Sequence, residues 1–364
     1  GCYCGIDVGG TDIKLAGVRD GKLLVVQEYD WNPSGFDTAE KIIAPIVELA
    51  RQCRSSLGGA PLAGIGLSFP DVVIGNKILG GETKGIRENP ALEYEAEFAK
   101  LSLLKARLEE LCAADAPVRV INDGSMTAFT AAVELAADGA DVGGGVFALS
   151  LGTDLGTGWL EGDGSVPAIP LELYDFLLDI GSRPQRALPP EDLRSILNEN
   201  SGLPGVRRYL GQAAAYRLAF EEKPALLDGF LAGGDTPQIA SAPADLRKPC
   251  LEQLMELAAQ GESAVVNVFC QIGRNLGMLN REAEFVLGAL PRTRYLFGRF
   301  AKKERCFKLI QEGFASADPA AELLAADEHM AFTGLMKQLR DRENVTVAQY
   351  AQAVGAVYFA CMEE

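Results

Sequence analysis

Ile6-Asp-Val-Gly-Gly-Thr-Asp-Ile-Lys14 decides how this chain reads: an apolar strand, a Gly-Gly-Thr turn and a second strand. Tyr3–Val8 and Ile13–Arg19 are the flanking strands, Asp20-Gly21-Lys22 is a hairpin turn, and Leu23–Gln27 is a third strand. Apolar residues at helical spacing from Ile42 to Leu57 predict a helix over 38–57. Ala63–Phe69 then reads as a short buried strand, which gives a layered α/β unit.

Further on, Gly75–Pro90 reads as a polar surface loop, 93–112 as a helix, and Val118–Ile121 as a strand running into a helix over Ser125–Ala137. The opening pattern then returns. Leu149-Ser-Leu-Gly-Thr-Asp-Leu155 is again a strand, a Gly-Thr-Asp turn and a strand, and two such turns predict a duplicated domain. Residues 190–283 read as mostly helical, Tyr295–Phe297 as a short strand ended by Gly298, and Val347–Met362 as a helix.

The 364 residues correspond to about two domains at ~150 residues each. With 48% hydrophobic and 23% charged residues the chain can bury a core, and intrinsic disorder is excluded. A net charge of −16 argues against nucleic acid and anionic membrane as partners. No apolar run approaches a membrane span, and no charged-then-apolar leader opens the chain. Eight scattered cysteines without a C-x-x-C pair read as reduced thiols in the cytoplasm. One histidine, His329, excludes mechanisms that need several.

A strand–glycine–strand turn has two readings, an ordinary hairpin or a phosphate cradle. Glycine lets backbone N–H groups approach an anion, Thr11 adds a hydroxyl, and Lys14 supplies charge. Asp7 would repel phosphate, so its carboxylate is better explained by Mg²⁺ held through water. The second turn favours the phosphate reading, because phosphoryl transfer needs contacts on both sides of a triphosphate. Asn122-Asp123 is explained equally by helix capping and by a general base at a strand's carboxyl end.

In combination, Ile6–Lys14, Ile121-Asn-Asp123 and Ser150–Gly158 resemble the ROK family (repressor, open reading frame, kinase) of the sugar kinase/Hsp70/actin superfamily. The order and spacing match from residue 3 to about 160, and more loosely beyond. The resemblance implies two actin-like, ribonuclease H-like lobes with a nucleotide and sugar cleft between them. The small lobe would span 1–120 plus 345–364, and the larger one 121–344. It implies ATP-dependent phosphorylation of a hexose or N-acetylhexosamine, with Asp123 as base and Asn122 as a sugar ligand. Gly9, Gly10, Thr11, Lys14, Gly152, Thr153 and Gly156 would hold phosphates, Asp7 would order Mg²⁺, and Gly298 would approach adenosine. Glu172 resembles the family's sugar-binding Glu, while Thr83 and Lys84 lie where its sugar loop sits but do not match it. A homodimer is the implied assembly.

The departures from the family pattern are specific. Asp175 stands where the family has His, and Ser201–Tyr209 keeps the glycine frame of its zinc segment without cysteine, so no zinc is expected. Asp154 replaces a glycine in the second turn, and the cluster Lys302, Lys303, Arg305 and Lys308 reads either as a solvated helix face or as a lure for a phosphorylated ligand. Two other function classes stay open: a sugar-binding sensor without catalysis, and an ATP-dependent enzyme with a non-sugar acceptor. The first turn begins at residue 7, so the DNA-binding helix pair of the family's repressors is not expected here.

Overall fold

A computed structural model describes residues 1–10, 12–80, 83–152, 154–169, 171–176, 178, 209–230, 244–288, 290–326 and 330–362. It divides into two compact units. The first comprises Gly1–Val146, Gly158–Pro170 and His329–Glu364; the second comprises Phe147–Thr157 and Leu171–Glu328. This differs from the expected division at 120/121 and 344/345. The strand after residue 117 pairs into the first sheet, and the helix that follows it packs there too, so the boundary moves to Val146.

Strands β1 (Cys2–Val8), β2 (Asp12–Arg19), β3 (Lys22–Asp30), β4 (Gly64–Phe69) and β7 (Val118–Asn122) form the first unit's main sheet, in the order β3-β2-β1-β4-β7. The first three strands form an antiparallel meander, and β4 and β7 join parallel. The central strands are apolar almost throughout because helices cover the sheet. Helix α1 (Ala39–Ser56) buries Ile42, Ile43, Ile46 and Ala50, and Thr38 caps it by accepting from Lys41 N.

The expected 75–90 loop contains structure instead. β5 (Val72–Ile74) and β6 (Lys77–Gly80) make a hairpin, followed by α2 (Lys84–Arg87). Gly75 and Asn76 both have positive φ, the conformation of a tight hairpin turn, which a reading by composition takes for loop. The helix expected over 93–112 is broken into α3 (Tyr94–Ala99), a short 3₁₀ turn and α4 (Leu103–Glu109). Helix α5 (Asp123–Ala137) follows β7 directly.

A second sheet, β8 (Val146–Leu151), β9 (Leu155–Leu160), β10 (Thr293–Phe297) and β11 (Glu322–Ala325) in the order β11-β10-β8-β9, belongs mostly to the second unit; the end of β9 from Gly158 is counted with the first. The second unit's described helices are α6 (Gln212–Glu222), α7 (Ala244–Ala259), α8 (Ser263–Leu287) and α9 (Glu304–Ala317). Helices α10 (Gly334–Arg340) and α11 (Val347–Cys361) return to the first unit. No described helix is long and apolar enough to cross a membrane.

Helix α11 lies on β1 and β4 with no side-chain layer between. A Cβ at Gly5 would come 2.0 Å from the Ala353 carbonyl oxygen, and one at Gly66 would come 1.9 Å from that of Ala356. Neither neighbour is a flexible side chain that can step aside. Gly66→Ala is therefore expected to lose about 1–3 kcal/mol of stability, the cost of overpacking, measured by urea denaturation. An unchanged midpoint would mean the helix is not held this closely.

Candidate functional site

Parallel pairing sets Asp7 of β1 opposite Ser68 of β4, and the Ser68 hydroxyl donates to Asp7 Oδ1 at 2.8 Å. Antiparallel pairing sets Lys14 opposite Asp7 on the other side. Burial pushes the Asp7 carboxyl up to about 6. Ser68 and the Lys14 charge pull it back, and the Asp123 and Asp12 carboxylates add to the rise. Asp7 and Asp123 are thus close enough to sense each other's charge. The Lys14 ammonium pairs with Asp12, its neighbour two residues back. The cation expected to meet phosphate already shares its charge with a carboxylate in this structure.

Capping and the base position fall to different residues. Asn122 is the cap of α5: its Oδ1 accepts from Gly124 N at 2.9 Å and Ser125 N at 3.3 Å, and its Nδ2 donates to the Asp71 carbonyl at 3.2 Å. Both Oδ1 lone pairs are used, and the amide nitrogen serves the Asp71 carbonyl and the Asp123 carboxylate. Asp123 is the first residue of the helix, half-buried, and its Oδ1 accepts from Gly124 N at 2.8 Å. Burial raises its carboxyl above the ordinary range, against opposing bonds from Gly124, its own backbone and Asn122. A carboxylate held at a strand's carboxyl end, with its proton affinity raised, can accept a proton from a bound hydroxyl.

The two glycine turns are built alike but not identically. Gly9 N donates to the Asp12 carbonyl at 2.8 Å, whereas Gly152 N donates to that of Asp154 at 3.0 Å, one residue tighter. Those two N–H groups close the turns and are not spare for a ligand. The Gly9 carbonyl accepts from Trp31 Nε1 at 2.7 Å, and that of Gly152 from Gln212 N at 3.0 Å. A Cβ on Gly10 or on Gly152 would meet nothing within 4 Å, so open space lies against both turns. Thr11 and Thr153 lie outside the described residues. Asp154 is exposed, the orientation in which a carboxylate in this turn costs least.

Gly298 has φ +95°, and a Cβ there would come 2.4 Å from the Leu151 carbonyl oxygen. The turn after β10 therefore sits on the end of β8, beside Gly152. Gly156 lies exposed on β9. Glu172 is half-buried just before a 3₁₀ turn, where the Thr157 hydroxyl donates to the carbonyl of Leu171. Ser201–Arg208 and the side chain of Asp175 lie outside the described residues, as does His329.

Thr83 and Lys84 are not brought to the carboxylates by any described contact. The Thr83 hydroxyl is 3.3 Å from the Tyr94 hydroxyl, and Lys84 opens α2 with its side chain outside the description. In the basic cluster, Lys303 pairs with Glu256 and Lys308 with Glu304, while nearby Arg299 pairs with Glu252. These pairs favour the solvated face over a lure for phosphate. A cavity of about 820 Å³ lies under the β5–β6 hairpin, lined by Lys77, Ile78, Tyr94, Phe98, Leu104 and Val120; none of the expected site residues is among its lining.

No family model and no curated protein matches the chain. Solved structures do. A ROK family glucokinase from Streptomyces griseus, in complex with glucose and AMPPNP, matches with a TM-score of 0.58 at 20% identity, covering 99% of both chains. A ROK hexokinase from Thermus thermophilus matches at 0.58 and 16% identity, covering 99% of this chain and 98% of that one. A ROK family transcriptional regulator, a homologue of the E. coli MLC protein, matches at 0.58 and 15% identity, covering 99% of this chain and 80% of that one. The chain has the actin-like α/β fold of the ROK sugar kinases.

Three polar residues around the carboxylates escape a motif reading: Ser68, Thr127 and Gln352. Ser68 is fully buried in the apolar run Gly64–Phe69. A lone hydroxyl in such a strand, or one of two amides in an alanine-rich helix, is the only signal the sequence offers for them.

Proposed function

We propose that this chain is an ATP-dependent sugar kinase that transfers the γ-phosphoryl group of ATP to a hydroxyl of a hexose or N-acetylhexosamine. The observation that carries the reading is Asp123: a half-buried carboxylate at the carboxyl end of β7, with raised proton affinity, beside the Asn122 cap. In this reading Asp123 accepts the sugar hydroxyl proton as the phosphoryl group leaves ATP. Asn122, whose amide also steadies the Asp123 carboxylate, orients the sugar with Glu172. The turns at Gly9–Thr11 and Gly152–Thr153, with Gly156 and Lys14, hold the phosphates, and Gly298 admits the adenosine side. Lys14 would leave Asp12 or share it when phosphate arrives.

Asp7 suits Mg²⁺. It is a hard oxygen donor whose bare charge is disfavoured by burial. Among the described residues no three His, Cys, Asp or Glu side chains gather into a cage. Mg²⁺ needs none, since it keeps several waters and is held by one or two carboxylates and substrate phosphates. When bound it would supply charge neutralisation at the phosphates. One pH effect follows for the protein without ligands. The Asp7 carboxyl has a folded value of about 6 against an ordinary 3.8, so the folded state binds this proton more tightly. Its contribution is most favourable below about pH 4, weakens between about 4 and 6, and is a cost above that. Asp7→Asn is expected to stabilise the ligand-free protein at pH 7.5 by on the order of 1–2 kcal/mol, with the gain vanishing near pH 4. Thermal unfolding at the two pH values checks this, and a gain independent of pH would refute it.

The function is tested by ADP release from Mg-ATP across hexoses, N-acetylhexosamines and pentoses, with Asp123→Asn as control. Release stimulated by a sugar and lost in the variant supports the kinase. The regulator among the structural relatives favours a second reading, a sugar sensor without catalysis. Sugar binding without ATP binding would select it, and ATP binding with no sugar response would point to a non-sugar acceptor.

A further inference from the structure

A line of polar groups inside the first unit runs from the Asp7 carboxylate to the backbone carbonyl of Asp123. Ser68 Oγ donates to Asp7 Oδ1 at 2.8 Å and lies 3.4 Å from Gln352 Oε1. Gln352 Nε2 donates to Thr127 Oγ1 at 2.6 Å, and Thr127 Oγ1 donates to the Asp123 carbonyl at 3.0 Å. Counting hydrogens sets the direction of each bond. Thr127 has one hydroxyl hydrogen, which goes to the Asp123 carbonyl, so the group facing its oxygen must be a donor. That turns Gln352 Nε2 toward Thr127 and Oε1 toward Ser68. Ser68 likewise has one hydrogen, and the carboxylate at 2.8 Å takes it in preference to the amide at 3.4 Å. The amide oxygen of Gln352 is thus the standby acceptor whenever Asp7 is protonated or otherwise engaged.

The backbone around Gln352 has little freedom to move. Helix α11 rests directly on Gly5 and Gly66, and a Cβ at Gly355 would come 1.9 Å from Thr130 Oγ1 on α5. Three glycines therefore seat α11 against β1, β4 and α5, the elements that carry Asp7, Ser68 and Asp123. An apolar side chain would pack at position 352 as well as the rest of this alanine-rich helix does. A glutamine there has a use only if its hydrogen bonds do.

We propose that Gln352 is a positioning residue for Asp123, acting through Thr127, while its amide oxygen lies beside the Ser68 hydroxyl that holds Asp7. The role of Asp123 rests on the kinase reading; its positioning does not. Without the Gln352 amide, Thr127 loses a donor that polarises its own bond to the Asp123 carbonyl. The first turn of α5 relaxes, and the Asp123 carboxylate loses its fixed aim, while no ligand contact is removed.

The test uses Gln352→Met, Gln352→Glu, Thr127→Val and the Met/Val double variant. Gln352→Glu cannot donate to Thr127 at neutral pH and should behave as the Met variant does. Each single variant should lower kcat roughly ten- to hundredfold, the usual effect of removing a residue that orients a catalytic group, with the sugar KM held within about twofold. The double variant should be no worse than the worse single one, because both cut the same line. An activity-independent readout is amide hydrogen exchange at Gly124 and Ser125 in the protein without ligands. It should quicken about tenfold in every variant, while the interior of α11 stays protected. Unchanged exchange at Gly124 and Ser125, additive losses, or faster exchange along all of α11 would each overturn the proposal. If the wild-type protein phosphorylates no sugar, the kinase reading fails, and the exchange data still decide whether Gln352 holds the first turn of α5.

Discussion

Asp123→Asn is expected to lower sugar-stimulated turnover at least ~10²-fold and up to ~10⁴-fold, the range that general-base removal covers. Asparagine has the same shape, and its Oδ1 can still accept from Gly124 N, the bond that Asp123 makes at 2.8 Å. What disappears is the ability to take up a proton. KM for sugar and for ATP should move little, because this loss is felt in the transition state. Stability should not fall, since burial already disfavours the Asp123 charge. The pH profile gives an independent check. The base must be ionised, so the wild-type rate falls as pH drops through the raised value of Asp123, while the residual rate of the variant lacks that limb. Steady-state kinetics from pH 5 to 9 measures both. Turnover within a few-fold of wild type would remove Asp123 from the role of base.

The second large effect is on stability. The guanidinium of Arg294, on β10, is completely buried. Its Nε donates to Asn280 Oδ1 at 2.6 Å, its Nη2 to Glu284 Oε1 at 2.6 Å, and its Cζ lies 5.1 Å from the Phe147 ring centre. Asn280 in turn donates to Asp318 Oδ2 at 2.5 Å, so one cation organises groups from α8, the segment after α9 and two strands. Arg294→Ala leaves the buried Asn280 without its donor, unpairs the partly exposed Glu284 and opens a cavity beside Phe147. A loss of about 2–4 kcal/mol is expected, from the cavity and the orphaned buried amide of Asn280 rather than from the partly exposed ion pair. Both tryptophans, Trp31 and Trp159, lie in the first unit, so the transition should be followed by far-UV circular dichroism. Arg294→Met, which restores volume without charge, should recover part of the loss. Equal losses in the two variants would show that volume is not what the alanine variant lacks.

Much of the fold is legible in the sequence, because local signals and burial coincide there. The antiparallel opening, α1, β4, β7, β8, α8 and α11 follow from apolar periodicity and turn residues, and the strand ends fall within a residue or two of the pattern except at β3, which runs on three residues past Gln27. The β5–β6 hairpin was not legible: its turn, Gly75-Asn76, sits in a glycine-rich polar stretch that composition reads as loop. β11 and α10 also escape a motif reading. β11 is four residues long and takes its identity from pairing with β10, which no local pattern records.

The same distinction runs through the candidate site. Asp7, the glycine turns and Asn122-Asp123 can be read from sequence because each occupies a fixed offset from a strand end, and strand ends are locally encoded. By itself the sequence determined an α/β chain with two alike glycine turns, a carboxylate before the first and a second carboxylate opening a helix. Only the tertiary structure decided that Asn122 takes the cap beside the Asp123 carboxylate, that Lys14 is paired with Asp12, and that Asp154 faces solvent. It alone joined Ser68, Thr127 and Gln352, which lie 59 and 225 residues apart along the chain, into one line of polar groups. The physical reason is range. A helix or a turn is specified by residues a few positions apart, whereas a buried polar group is satisfied by whichever donor the packed elements bring within about 3 Å.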